Sequence, residues 1–220
     1  EHVPAWKIGS GDLNYHKQLK VVAKTGKPLL LATGACTMQE VIDAVRVVEK
    51  YNPQIILMQC NTNYTGKDEN FDHINLNVLE TYKLCFPNVI LGLSDHTHGH
   101  ETVLGAVALG ARVVEKHFTD DNNREGPDHP FSMNPKTWRE MVDSTRKLER
   151  SMGSAIKQVC ENEEKTVILQ RRALTANRDI PAGSTLRQED FSAKRPCPID
   201  SVDINKNVDG ITIKKSVSKG

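Results

Sequence analysis

Five short apolar runs punctuate the chain at residues 5–8, 28–32, 54–58, 89–93 and 112–114. Each is apolar at successive positions, so both faces of a strand there are buried, as in a parallel sheet covered by helices. Helix-like segments separate the runs, and their spacing fits a βα repeat of about 30 residues per unit. After the second run, Val41, Ala44, Val45 and Val48 fall at i, i+3, i+4 and i+7 and predict one buried helix face. Thr37-Met38-Gln39-Glu40 has the spacing of a capping box at that helix's start. Leu76, Val78, Leu79, Tyr82 and Leu84 predict a helix before the fourth run, and Glu101 to Gly110 predicts one after it. Trp138 to Met152 predicts a further helix, opened by Pro135 and closed by Gly153.

Beyond Gly153 the pattern changes. Residues 154–165 are polar and charged and read as a linker. From Thr166 the pattern is of short strands and turns, including the turn Asp179-Ile180-Pro181-Ala182-Gly183-Ser184 and the stiff basic loop Lys194-Arg195-Pro196-Cys197-Pro198. Residues 166–220 therefore predict a small, mostly β domain after a larger α/β domain at 1–153; at about 55 residues it can just support a core of its own. The chain opens on Glu1 rather than Met and is strand-like within a few residues, and Ile211 to Val217 is strand-like close to Gly220. Both ends thus predict truncation.

With 220 residues, 38% hydrophobic and 26% charged, the composition is that of an ordinary globular protein. A net charge of +1 gives no electrostatic case for nucleic acid or a membrane surface. No apolar run approaches the roughly 20 residues of a membrane helix, and no signal-peptide pattern is present. Cys36, Cys60, Cys85, Cys160 and Cys197 are scattered, odd in number and without a C-x-x-C, which predicts reduced thiols and a cytoplasmic location.

Candidate chemistry gathers where the apolar runs end. Ser94-Asp95-His96-Thr97 and Glu115-Lys116-His117-Phe118-Thr119 each place a histidine after a predicted strand. Histidines at the carboxyl ends of consecutive parallel strands point into one cleft, where α/β sheets keep their active sites. Two neutral imidazoles converging there suit a divalent metal; the plainer reading is a pair of hydrogen-bonding residues at strand ends. Lys7, Ser10 and Asp12 follow the first run, and glycines flanking Ser10 allow backbone amides to approach an anion. The plainer reading there is a turn with an exposed lysine. Asn61-Thr62-Asn63-Tyr64 could contact a sugar or cap a loop, Thr33-Gly34 is a weaker signal, and Gly126-Pro127-Asp128-His129 is a turn in a long loop. His98 and His100 read as helix-start residues, and His2, His16 and His73 as surface or packing residues.

Together these segments resemble the sialic acid synthase family. The resemblance is carried in order by Trp6-Lys7-Ile8-Gly9-Ser10-Gly11, Leu31-Ala32-Thr33-Gly34, Gly92-Leu93-Ser94-Asp95-His96-Thr97, Leu109-Gly110-Ala111, Glu115-Lys116-His117-Phe118-Thr119 and Gly126-Pro127-Asp128-His129. Asp179-Ile180-Pro181-Ala182-Gly183 and Lys194-Arg195-Pro196 resemble the antifreeze-like domain of the same enzymes. The resemblance implies a (β/α)8 TIM barrel followed by a small antifreeze-like domain, in a domain-swapped homodimer. It also implies that three barrel strands belong upstream of Lys7, so that the chain alone is expected to be inactive and prone to aggregate through unpaired strand edges.

The implied reaction condenses phosphoenolpyruvate with an N-acetylated hexosamine, such as N-acetylmannosamine, giving a nonulosonic acid and phosphate with Mn2+ or Mg2+. Carried over by position, His96 and His117 hold the metal and Asp12 stands at the carboxylate placed for proton transfer. Lys7, Ser10 and Ser94 bind phosphoenolpyruvate. Thr62 lies in the polar cluster beside Tyr64; Tyr64 and Asp128 meet the sugar, and Arg195 binds its N-acetyl group from the partner subunit. The chain departs from the family in three places: Asp12 is one methylene shorter than the usual Glu, Ala32 replaces a hydroxyl found in some members, and Cys197-Pro198-Ile199-Asp200 replaces a glycine-rich stretch. A related barrel aldolase or synthase, and a non-catalytic sugar-binding or dimerisation module, are the alternative readings.

Overall fold

The computed structural model describes residues 2–220 and divides the chain into two compact units, Glu1–Gly153 and Ser154–Gly220. In the first, strand and helix alternate: β1 (Trp6–Ile8), α1 (His16–Ala23), β2 (Leu29–Ala32), α2 (Met38–Glu49), β3 (Ile55–Cys60), α3 (Val78–Cys85), β4 (Ile90–Asp95), α4 (Glu101–Ala108), β5 (Val113–Lys116) and α5 (Pro135–Met152). The five strands are parallel and lie in sequence order, each joined to the next by a helical crossover.

Strand alternation splits the sheet into two faces. Ile8, Leu31, Leu57 and Leu91 stand in one register row and pack into the main core with Val41, Ala44, Val45 and Val48 of α2, Leu79 of α3 and Val103, Ala106 and Val107 of α4. Each fully buried aliphatic side chain of this kind contributes about 1.5–3 kcal/mol. The opposite face carries Lys7, Ile56, Met58, Ser94 and Glu115. Lys7 on β1 and Glu115 on β5 form an ion pair although three strands lie between theirs, so the sheet curls into a half-barrel with this face inside. The described residues supply five strands rather than the eight of a closed barrel, and β1 and β5 are the sheet's edges.

Local chemistry explains the helix ends. Thr37 Oγ1 accepts from the Glu40 amide while the Glu40 carboxylate accepts from the Thr37 amide at 2.7 Å, completing the capping box of α2. Asn134 caps α5 by accepting from the Lys136 and Thr137 amides, Pro135 fills the first turn, and Gly153 ends the helix at φ +51°.

Two expectations for the first unit need correction. Leu84 is 83% exposed, because it lies off the stripe that buries Leu79 and Tyr82. β4 and β5 also run two residues past their apolar runs, since Ser94 aligns with Glu115 and Asp95 with Lys116 and the ladder continues through polar residues.

The second unit opens with α6 (Glu164–Gln170), where short strands were expected. Acidic residues in the preceding turn and at the helix's start favour its N-terminus. The antiparallel pair β6 (Ala173–Ala176) and β7 (Phe191–Lys194) follows, with a small core of Ala176, Ile180, Leu186 and Val208. Isolated bridges at Ala173–Asp203, Ile180–Val217 and Thr185–Thr212 tie the remaining loops together. No helix among the described residues is long and apolar enough to cross a membrane.

Candidate active site

A cleft of about 580 Å³ opens at the carboxyl ends of the parallel strands, where this architecture projects its loops and strand-end side chains. Ser94, Glu115, His96 and His117 line it; Asp95 and Lys116 also border it, but their side chains pair with each other beneath its surface. The two imidazole rings lie 5.1 Å apart between centroids. Tyr64, from the loop after β3, places its ring 4.2 Å from His96 and 5.6 Å from His117.

The hydrogen bonds fix which ring nitrogen is available. His96 Nδ1 lies 2.7 Å from the Asn61 carbonyl oxygen. A carbonyl only accepts, so Nδ1 carries the proton and the Nε2 lone pair is left free. His117 Nδ1 faces Asp128 Oδ2 at 3.4 Å, which orients that ring in a similar way. Burial disfavours the charged imidazole and pulls the His96 pKa down, against the opposing pull of the Asn61 carbonyl. A neutral imidazole with a fixed tautomer and a free nitrogen is the form that binds metal. Among the described residues no cluster of three or more His, Cys, Asp or Glu side chains is arranged around a metal position. The two free ring nitrogens of His96 and His117 are a donor set that would fit an ion whose other ligands are oxygens from substrate or water.

A second cluster suits an anion. The Lys7 ammonium reaches the cleft and pairs with Glu115. Burial works against the charge on Glu115, but hydrogen bonds from Lys7 and Ser94 and the Lys7 charge hold its carboxyl below the usual range. Ser10 is buried, and its Oγ accepts from the Gly34 amide at 2.9 Å. Gly34 has no room for a side chain: a Cβ there would lie 2.5 Å from Thr62 Cγ2 and 2.9 Å from Ser10 Oγ. Gly9 and Gly11, by contrast, line the cleft and face open space. Cys60 lies below, and burial pushes its thiol pKa up.

Behind the cleft, Asp95 and Lys116 form an ion pair at 2.6 Å, with side chains 0% and 1% exposed. Burial opposes ionisation of Asp95, but the Lys116 charge, with hydrogen bonds from Lys116, Thr102 and the Thr97 amide, outweighs it and keeps the carboxyl below its ordinary value.

The cleft thus gathers Lys7, Ser10, Thr62, Tyr64, Ser94, His96 and His117. Asp128 meets it through His117. Asp12 is exposed on the short turn after β1 and does not line the cleft; the carboxylate that does so beside Lys7 is Glu115. Arg195 belongs to the second unit, where its Nε donates to the Gln170 carbonyl at 2.5 Å. Glu115, Asp95 and Lys116 are legible in the sequence as polar groups beside the histidines, but not in their individual roles. Strand alternation extended past the apolar runs would have placed Glu115 on the cleft face with Ser94.

Residues 1–157 match the NeuB family and residues 171–220 the SAF domain. An uncharacterized protein of Methanocaldococcus jannaschii is 42% identical over 89% of this chain and 57% of its own length. The N,N'-diacetyllegionaminic acid synthase of Campylobacter jejuni is 36% identical over 87% of this chain and 57% of its own length. Among solved structures, an N-acetylneuraminic acid (sialic acid) synthetase from Leptospira borgpetersenii in complex with citrate superposes with a TM-score of 0.67 at 29% identity, covering 76% of this chain and 57% of that one. The chain thus spans little more than half the length of these relatives. Ordered strand-end motifs, a parallel half-barrel and both family matches lead to one assignment: the chain belongs to the NeuB family and carries a SAF domain.

Proposed function

We propose that this chain forms part of an eight-stranded barrel enzyme that condenses phosphoenolpyruvate with an N-acetylated hexosamine to give a nonulosonic acid and phosphate. The observation that carries this reading is the meeting, in one cleft, of a lysine–serine anion corner and two imidazoles with oriented ring nitrogens. The relatives named as legionaminic acid synthase and sialic acid synthetase support the reaction class.

Lys7 neutralises the negative charge of phosphoenolpyruvate, exchanging its Glu115 partner for the substrate, and the Ser10 and Ser94 hydroxyls donate to phosphate and carboxylate oxygens. Tyr64 offers the sugar a ring face, with Thr62 and Asp128 as polar contacts. Arg195 binds the N-acetyl group across a domain-swapped homodimer. Asp12, exposed on the turn after β1, exchanges protons with the cleft only through solvent. His96 and His117 would hold Mn2+ or Mg2+, which as a Lewis acid polarises the aldehyde carbonyl of the open-chain sugar. The enol carbon of phosphoenolpyruvate bonds to the aldehyde carbon, water adds to the resulting oxocarbenium, and the bond to phosphate breaks.

A polypeptide joining this chain to the portion its longer relatives possess is expected to release phosphate from phosphoenolpyruvate only when an N-acetylhexosamine and Mn2+ are both present. Phosphate release without the sugar, or full activity in chelator, overturns the reading. Sugar binding without phosphate release would favour a non-catalytic module.

A further inference from the structure

The buried Asp95–Lys116 pair lies beneath the wall of the cleft, tied to α4 through Thr102, where an ion pair is a costly way to fill space. Its position in the chain explains its presence. Asp95 and Lys116 are register partners on β4 and β5, and the next residue on each strand is a candidate metal ligand, His96 and His117. Lys116 does more than meet Asp95. Its Nζ also donates to the Thr97 carbonyl at 2.7 Å. The Asp95 carboxylate in turn accepts from the Thr97 amide at 3.0 Å, from the Thr97 hydroxyl, and from Thr102 Oγ1 on α4 at 2.6 Å. The backbone is therefore held on both sides of His96, by the residue that immediately precedes His117, and the whole is anchored to a helix.

We propose that Asp95 and Lys116 are positioning residues whose ion pair sets the separation and orientation of the His96 and His117 imidazoles and thereby the affinity for a divalent cation. This rests on the reading of those histidines as metal ligands. Neither Asp95 nor Lys116 needs to touch the cation. With the pair intact, strand alternation delivers both rings to the cleft from one fixed register; without it, the two strand ends are joined only by the last ladder bonds and fray independently. Residues that hold metal-binding histidines in place typically change affinity about 10–100-fold when altered.

The test is Mn2+ binding to the full chain by titration calorimetry, with no turnover required. Lys116→Met and Asp95→Asn are each expected to weaken Mn2+ binding about tenfold or more. Thr102→Val, which removes one hydrogen bond to Asp95 and leaves the ion pair in place, is expected to weaken it by a smaller factor, and it keeps the proposal testable where the other two variants do not fold. Val114→Ala thins the same buried side of β5 without touching the pair; at a comparable thermal midpoint it is expected to leave Mn2+ affinity within about twofold of the unaltered chain, well inside the range expected for supporting residues. In the metal-free protein, imidazole 15N shifts are expected to report a fixed Nδ1–H tautomer for His96 that Lys116→Met loosens. Unchanged affinity in a folded Lys116→Met or Thr102→Val protein, or an equal loss in Val114→Ala, overturns the positioning role alone. Absence of Mn2+ binding by the unaltered chain, or binding undiminished in His96→Ala, overturns the metal reading and this proposal with it.

Discussion

The two units of the chain are held together by different means. Among the described residues, the main core of the first contains 24 buried apolar side chains and that of the second four. The first unit can therefore carry an unfavourable arrangement of polar groups on its sheet, including an ion pair sealed from solvent. The second has one two-stranded sheet, and its loops are tied by isolated bridges and by side chains that accept from backbone amides, such as Asp209 to the Gln188 amide at 2.5 Å. A large apolar core leaves room for chemistry; a small one makes each contact count towards the fold itself.

The sharpest way to break this comparison is to remove one aliphatic side chain from each core. Leu57→Ala and Ile180→Ala each empty a site that is at most 1% exposed, at a cost of about 2–5 kcal/mol apiece. The first unit is expected to remain folded with a lowered denaturation midpoint, whereas the second is expected to unfold at room temperature. Both tryptophans and all four tyrosines lie in the first unit, so its fluorescence follows Leu57→Ala and is blind to Ile180→Ala, while amide exchange sees both. Equal tolerance of the two substitutions would refute the contrast.

Acid provides a second, smaller effect. The hydrogen bond from Arg178 to Asp190, at 2.8 Å, holds that carboxyl below its ordinary value, against burial and with help from the Arg187 amide. A carboxyl depressed in the folded state contributes stability above its unfolded pKa of about 4 and loses it as the pH falls through the lower folded value. The second unit is thus expected to weaken below about pH 4. Asp190→Asn should flatten that limb in amide-exchange profiles; an unchanged limb would assign the acid sensitivity elsewhere.

The smallest stability effect is expected from Glu115→Gln. Its pair with Lys7 is partly exposed, with side chains 31% and 47% accessible, and pairs of this kind contribute about 0–1 kcal/mol. The thermal midpoint should hardly move, while inorganic phosphate binds more tightly to the freed Lys7. A large loss of stability would show that the bridge belongs to the fold rather than to the site.

The starts of the strands were legible because apolar runs end abruptly against turns. The carboxyl ends of β1 and β2 were legible too, but those of β3, β4 and β5 were not, because polar residues such as Gln59, Ser94, Asp95, Glu115 and Lys116 remain in the ladder. The residues of the site were largely legible for the same reason: a histidine following a strand has few places to point. What the chain did not disclose is the meeting of Lys7 with Glu115, separated by 108 positions, since that contact depends on how far five strands curl. Nor did it disclose α6, whose Val167-Ile168-Leu169 reads as a strand until the acidic residues before it are weighed as helix-start signals. Asp12 was placed by motif alone, and motif order carries no information about which way a side chain leaves a turn.

The Lys7–Glu115 bridge has a consequence for ionic strength. An anion that enters a cleft holding a bare cation gains attraction that salt screens strongly. Here the arriving anion trades places with a carboxylate already in contact with the same ammonium, so the attraction it gains is offset by the one it ends. Binding becomes an exchange of counterions inside the protein, and its dependence on added salt should be shallower than the charge on the ligand would suggest.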